Sequence, residues 1–277
     1  VEWERTCMNW VAALPMYNVT PALAHDWRAL LDHVHRRLRP WLEARGDTLA
    51  IVDPATSLDE FWLRENLLLS QTCGYPLVKA LAGRVQLVAT PVFSVDGCAG
   101  GDYRSVLVAR TAAGVTSLAA CRGLRAAFNN PDSNSGMNLL RSAVAPLAGG
   151  RPFFASVIET GGHLASLQVL LDDRADIAAI DCVTFAFVLD KLAHLGRGVV
   201  EIGATRSAPG LPLIASKRVP PDGIEALAIA LADTIAEDRP LAKRLKLDGF
   251  ANRPLDDYAS ILDIETDAVK RGYPRLA

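Results

Sequence analysis

At 277 residues the chain can bury a substantial core, as one large domain or two modest ones. Half of its residues are hydrophobic and 22% are charged, the composition of an ordinary globular protein. A formal net charge of −2 without a long Lys/Arg cluster argues against nucleic acid as a partner, and no apolar run reaches the ~18 residues that would span a membrane.

The amino-terminal run Val1-Glu2-Trp3-Glu4-Arg5 is mixed in charge and does not read as a secretory signal, so either a signal has been removed or there is none. Residues 8–15 read as a buried strand stopped by Pro15. Thr20 and Pro21 then open a helix with Leu23, Trp27, Leu30, Leu31, Val34 and Leu38 on one face, running to about Gly46 with a kink at Pro40. Its basic stretch, residues 33–39, reads as a solvated face. Strands are expected at 48–52, 66–71 and 85–90, with a helical turn at 57–64 and a short helix at 77–82. Residues 93–102, containing Gly97, Gly100 and Gly101, form a loop. It lacks dinucleotide-loop spacing and opens no helix. Residues 103–110 read as one long strand.

From Ser117 the rhythm repeats, with strands at 123–128, 153–159, 176–181 and 199–203 and helices at 139–147, 164–171 and 183–195. A strand at 211–215 comes next, and the remainder reads as helical. Alternating strands and helices give an α/β fold with largely parallel sheets. The extended segments near 103–110 and 204–213 divide it into two lobes with a cleft between them: residues 8–108 with 207–277, and residues 109–206. In such sheets ligands sit at the carboxyl ends of strands, and the polar loops 71–75, 129–136, 160–163 and 181–184 fall there.

The most informative of these loops is 129–138, Asn-Asn-Pro-Asp-Ser-Asn-Ser-Gly-Met-Asn, between a strand and a helix. It gathers hydroxyls, side-chain amides and the unpaired backbone amides of a helix start, which suit an anion. The same residues are ordinary turn and N-cap formers, so both uses stand. The five cysteines, Cys7, Cys73, Cys98, Cys121 and Cys182, are an odd number at wide spacings without Cys-x-x-Cys, and indicate neither a zinc site nor a redox motif. Isolated buried thiols are the simplest reading; a single bridge such as Cys73 to Cys98 is the alternative in an oxidising compartment.

In order along the chain stand Tyr103-Arg104-Ser105 on an apolar strand, Asn130-Pro131-Asp132-Ser133-Asn134-Ser135-Gly136, Gly162-His163 at a helix start, and a strand ending at Asp181. This series resembles the substrate-binding proteins of phosphate/phosphite/phosphonate ABC transporters over roughly residues 10–215. The resemblance implies a two-lobed type II periplasmic-binding-protein fold that closes on its ligand, with mixed, mostly parallel sheets. It implies that Ser133, Asn134 and Ser135 hold an anion through hydroxyls and amides, and that His163 bonds it from the second lobe. Asp181 would accept from the ligand or from His163, and Tyr75 and Tyr103 would come from the first lobe. The departures are the missing export signal, a short carboxyl-terminal extension, and a thiol and a proline in 71–76.

Each of these residues also has an ordinary structural use. His163 can cap its helix, Asp181 can cap the helix after its strand, and either tyrosine can be a core residue. Arg104 alternates to the face opposite Tyr103 unless a bulge intervenes. A Cys182–His163–Asp181 nucleophile is disfavoured, since adjacent Asp181 and Cys182 diverge and no nucleophile signature surrounds them. The expectation is a monomeric, non-enzymatic protein that captures a small oxyanion (phosphate, phosphonate or a related ester) and delivers it to an ABC permease, with no cofactor or metal. The alternative is a cytoplasmic ligand sensor or enzyme on the same fold, using Cys73 or Cys182. By resemblance the compartment is the periplasm; the missing signal leaves the cytoplasm open.

Overall fold

The structure, a computed structural model, describes residues 7–277; the segment Val1–Arg5 read above for a signal lies outside them. In chain order the first elements are β1 (Asn9–Ala13), α1 (Pro21–Glu43), β2 (Thr48–Ile51), α2 (Leu58–Trp62), β3 (Leu67–Gln71), α3 (Gly74–Lys79) and β4 (Val85–Phe93). Then come β5 (Asp102–Tyr103), β6 (Ser105–Arg110), β7 (Arg125–Phe128), α4 (Leu139–Ala148), β8 (Ser156–Glu159), α5 (His163–Leu171) and β9 (Ile177–Asp181). The chain ends with α6 (Cys182–Lys191), α7 (Ala193–Arg197), β10 (Val199–Ala204), β11 (Ala208–Pro209), β12 (Leu213–Ser216), α8 (Pro221–Glu237), α9 (Arg239–Arg244), β13 (Leu247–Ala251) and α10 (Ser260–Lys270). No helix among the described residues is long and apolar enough to cross a membrane.

The chain divides into two compact units. The first runs through Thr72 and adds Lys79–Ser94 and Leu211–Leu255. Its sheet has the order β13-β4-β12-β3-β1-β2, with β1 parallel to β2 and β3 and with β12 and β13 antiparallel to their neighbours. Thr20 caps α1 by accepting from the Leu23 amide, and the apolar stripe predicted from spacing is the buried one. Pro40 lies inside α1 without ending it. The basic stretch is a solvated face: His33 and Arg37 pair with Asp238 and Glu237, and Arg39 pairs with Glu43.

The second unit is Cys73–Val78, Val95–Gly210 and Asp256–Ala277. Its sheet has the order β10-β6-β9-β7-β8, in which β7 is parallel to β8 and β9 while β6 is antiparallel to β9 and β10. The central strands are small and apolar on both faces, with Ala126, Ala127 and residues 177–180 fully buried, so helices can pack closely on either side. Leu140, Val144 and Ala148 of α4 join Phe153 and Tyr273 in that core.

Five features differ from the sequence reading. The sheets, expected to be mostly parallel, are mixed, with four parallel and six antiparallel pairings among the described strands. Residues 73–78, 95–108, 207–210 and 256–277, expected in the first lobe, lie in the second unit; the last stretch is held there by α10, which buries Ile261, Ile264 and Ala268. The strand expected over 103–110 breaks at Arg104 into β5 and β6, which pair with different partners. The carboxyl-terminal stretch read as helical contains β13. Finally, β4 continues through Pro91: β12 pairs with β4 over Val85–Ala89 and β13 over Thr90–Phe93, so Pro91 sits where one side of the strand needs no donor.

Candidate functional site

The loop 129–138 leaves the carboxyl end of β7, an interior strand of the second unit, and enters α4. Ser133 is extended and its Oγ accepts from the Gly136 amide at 3.0 Å, so it caps the turn after it. That turn, Asn134–Asn138, is a single one of π-helix, closed by the Asn138 amide donating to the Ser133 carbonyl at 3.0 Å. Such turns recur at functional sites, since the wider ring re-aims side chains that an α-turn would stack. Here Ser133, Asn134, Ser135 and Asn138 are all buried. Gly136 is required by close approach: a Cβ there would stand 1.9 Å from Asn129 Oδ1 and 3.2 Å from His163 Cε1.

His163 is the first residue of α5, with Gly162 as its N-cap, so the capping role is taken by another residue. Its Nε2 lies 2.9 Å from Ser135 Oγ, while its buried Nδ1 has no partner among the described residues. Burial pushes the imidazole down to about 4. It is therefore neutral near pH 7, with one ring nitrogen donating and the other accepting.

A directed chain of hydrogen bonds ends on Tyr103. Arg141, buried on α4, donates to Asn138 Oδ1 at 2.7 Å and to the Pro274 carbonyl. Asn138 Nδ2 donates to Asn134 Oδ1 at 3.0 Å, and Asn134 Nδ2 donates to the Tyr103 hydroxyl at 3.2 Å. A guanidinium can only donate, so Arg141 fixes which way both asparagine amides face. The Tyr103 oxygen receives that bond, which leaves its own proton to donate elsewhere, and the Ser135 side chain is within its reach. Burial, with the Asp181 carboxylate adding to it, holds this phenol well above its ordinary range, so it keeps that proton. Ser105 Oγ donates to the Ser135 carbonyl at 2.9 Å, so both ends of the Tyr-x-Ser strand grip the loop.

Asp181 ends β9 and caps α6, its Oδ1 accepting from the amides of Val183 at 2.7 Å and Thr184 at 3.0 Å. Its carboxylate is close enough to raise both Cys73 and Tyr103. Tyr75 is buried in the first turn of α3 and reaches the group through its neighbour Cys73, whose Sγ accepts from the Asn134 amide at 3.4 Å. The structure thus joins Ser133, Asn134, Ser135, His163 and Tyr103 by direct bonds, with Asp181 and Tyr75 alongside. Tyr75 and Tyr103, expected from the other lobe, belong to the same unit as the loop. Asn138 and Arg141 were missed, although Asn134, Asn138 and Arg141 recur at helical spacing in a largely apolar segment, which is a readable sign of a buried polar seam. The Cys73–Cys98 pairing is not formed: Cys98 faces Cys182 instead.

The family described as "ABC transporter, phosphonate, periplasmic substrate-binding protein" matches residues 12–258. The chain belongs to that family. It is a family of transport proteins rather than of enzymes, and its members bind solute for an ABC transporter. No curated protein matches the chain in sequence. Among solved structures, this phosphonate-family chain is similar to a binding protein component of an ABC phosphonate transporter from Pseudomonas aeruginosa, at 14% identity and TM-score 0.76, covering 96% of this chain and 88% of that one. It is also similar to PhnD1 from Prochlorococcus marinus in complex with methylphosphonate, at 15% identity and TM-score 0.71, covering 95% and 98%. A Xanthomonas citri protein bound to ATP matches at 16% identity and TM-score 0.67, covering 95% and 97%. At these identities the likeness establishes the fold, the two-lobed periplasmic-binding-protein fold of the phosphonate family. Among the described residues no group of three or more His, Cys, Asp or Glu could hold a metal ion.

Proposed function

We propose that loop 129–138 is the ligand site of this solute-binding protein, and that its ligand is a small phosphonate or related phosphate-like oxyanion. The observation that carries this reading is the directed chain from Arg141 to Tyr103, which presents a phenolic donor beside the start of a helix. Two amides of that start already have acceptors, Asn134 with Cys73 Sγ and Gly136 with Ser133 Oγ. Ser135 and Met137 add their amides to the same turn, the part of a helix suited to an outside oxygen. Ser135 and neutral His163 supply further neutral groups, and in a buried setting such hydrogen bonds count for more than in water.

Asp181 gives the site its selectivity. A carboxylate near the anion favours an oxyanion that still carries a proton, or another donor, and disfavours one that is fully deprotonated. Binding proceeds without chemistry, and the protein acts as a monomer that presents its ligand to a permease. A cysteine-based enzyme or sensor has weaker support, because burial pushes the Cys73 thiol up, away from the reactive thiolate.

A thermal-shift and calorimetric screen of methylphosphonate, phosphite, phosphate and sulfate tests the proposal. Methylphosphonate, phosphite or phosphate should raise the melting temperature while sulfate does not. Ser135→Asp should abolish the shift. A screen in which none of the four shifts the protein, or in which Ser135→Asp responds like wild type, removes the loop as the anion site.

A further inference from the structure

Outside the polar group just described, two cysteines far apart in sequence meet in the second unit. Cys98 Sγ and Cys182 Sγ lie 3.5 Å apart across a separation of 84 residues. Cys98 is half-buried in the glycine-rich loop 95–102; Cys182 is buried as the first residue of α6. Both backbones are held in place. The Cys98 amide donates to the Val95 carbonyl, Ala99 and Asp102 exchange amide–carbonyl bonds, and the Cys182 amide donates to the Arg104 carbonyl at 3.1 Å. Gly97, at φ +94°, lets the loop press against its partner: a Cβ there would stand 3.2 Å from Cys182 Cβ and 2.9 Å from Arg104 Cγ. The two sulfurs are already in contact, and the 3.5 Å between them is the gap that must close to the ~2.05 Å of a disulfide bond.

We propose that Cys98 and Cys182 form an oxidative modification site, joining in a disulfide that pins loop 95–102 to the amino terminus of α6. The oxidant is itself a disulfide, of a small thiol or of a protein. The Cys98 thiolate attacks it, forming a mixed disulfide and releasing one thiolate. The Cys182 thiolate then attacks the Cys98 sulfur and displaces the second. Two protein thiols lose their protons and two electrons, one S–S bond forms in the protein, and the oxidant's S–S bond becomes two thiols. The hydrogen bond with Cys182, together with burial, pushes the Cys98 thiol up. The exchange is therefore slow at neutral pH and faster in mild alkali. The family works in the periplasm, a compartment where disulfides persist. The bridge replaces the Cys73–Cys98 pairing suggested by sequence, and Cys73 keeps its bond from Asn134.

The test is to incubate the folded, full chain with oxidised glutathione at mildly alkaline pH, quench, unfold, alkylate and map the peptides. The expected result is a peptide in which Cys98 is linked to Cys182, with buried Cys73 and Cys121 alkylated and exposed Cys7 either alkylated or carrying glutathione. The oxidised protein should melt roughly 5–10 °C above the reduced form, a difference absent in Cys98→Ser. A stable glutathione adduct on Cys98, a link between any other pair, or alkylation of all five thiols would overturn the proposal. The wild-type mapping stands even if a variant folds poorly.

Discussion

Gly136 carries the sharpest constraint on a single residue. Its missing Cβ leaves room for Asn129 Oδ1, and His163 stands just beyond. Gly136→Ala should displace both side chains and cut oxyanion affinity at least tenfold by calorimetry. Its melting temperature should fall by only a few degrees, because the apolar face of α4 is untouched. His163 governs the pH response. Its folded value of about 4 lies below the ~6.5 of an unfolded histidine, so between them the unfolded chain takes up a proton that the folded one refuses. Stability is full above about pH 6.5, falls as pH drops through that window, and levels off below 4 after a loss of up to roughly 3 kcal/mol. Denaturant titrations across this range should show the slope in wild type and a flatter one in His163→Gln. The residues were legible in sequence as types; their roles were legible only in part. Ser133 and Asp181 are caps in the structure, and their proposed ligand role stands beside that one.

Among the elements, β7 and β9 deliver the loop and Asp181, and their other ends are tied together. Asp176, just before β9, accepts from Arg125 Nε at 2.9 Å, from the Arg125 amide at 3.0 Å and from Arg110 at 3.0 Å. The hydrogen bonds from Arg125 hold its carboxyl well below the usual range. The stability it contributes is present above about pH 4 and is lost as pH falls. Asp176→Asn should cost about 1.5–3 kcal/mol near pH 7 and little at acid pH, with ligand affinity unchanged, since the knot lies at the strand ends away from the loop. An unchanged denaturation midpoint near neutrality would remove that role. The helices and buried strands were readable because local periodicity determines them. The strand β13 was not, because its pairing with β4 joins segments distant in sequence. The break at Arg104 was hidden too, since an apolar run of strand length carries no mark of a change in partner.

On the scale of the whole molecule, the alternation of strands and helices identified the α/β class, and four separated motifs in order pointed to the family that matches over residues 12–258. The boundaries of the two units were harder to read. The return of residues 256–277 to the second unit depends on α10 burying Ile261, Ile264 and Ala268, a long-range event that composition does not announce. That arrangement gathers every residue of the proposed site into one unit and makes Arg141, on α4, the origin of its hydrogen-bond polarity. The most direct test is a crystal structure grown with methylphosphonate. The phosphonate oxygens should lie within hydrogen-bonding distance of the Ser135 amide, the Ser135 hydroxyl and the Tyr103 hydroxyl. Ligand density with no oxygen in reach of loop 129–138 would contradict the assignment.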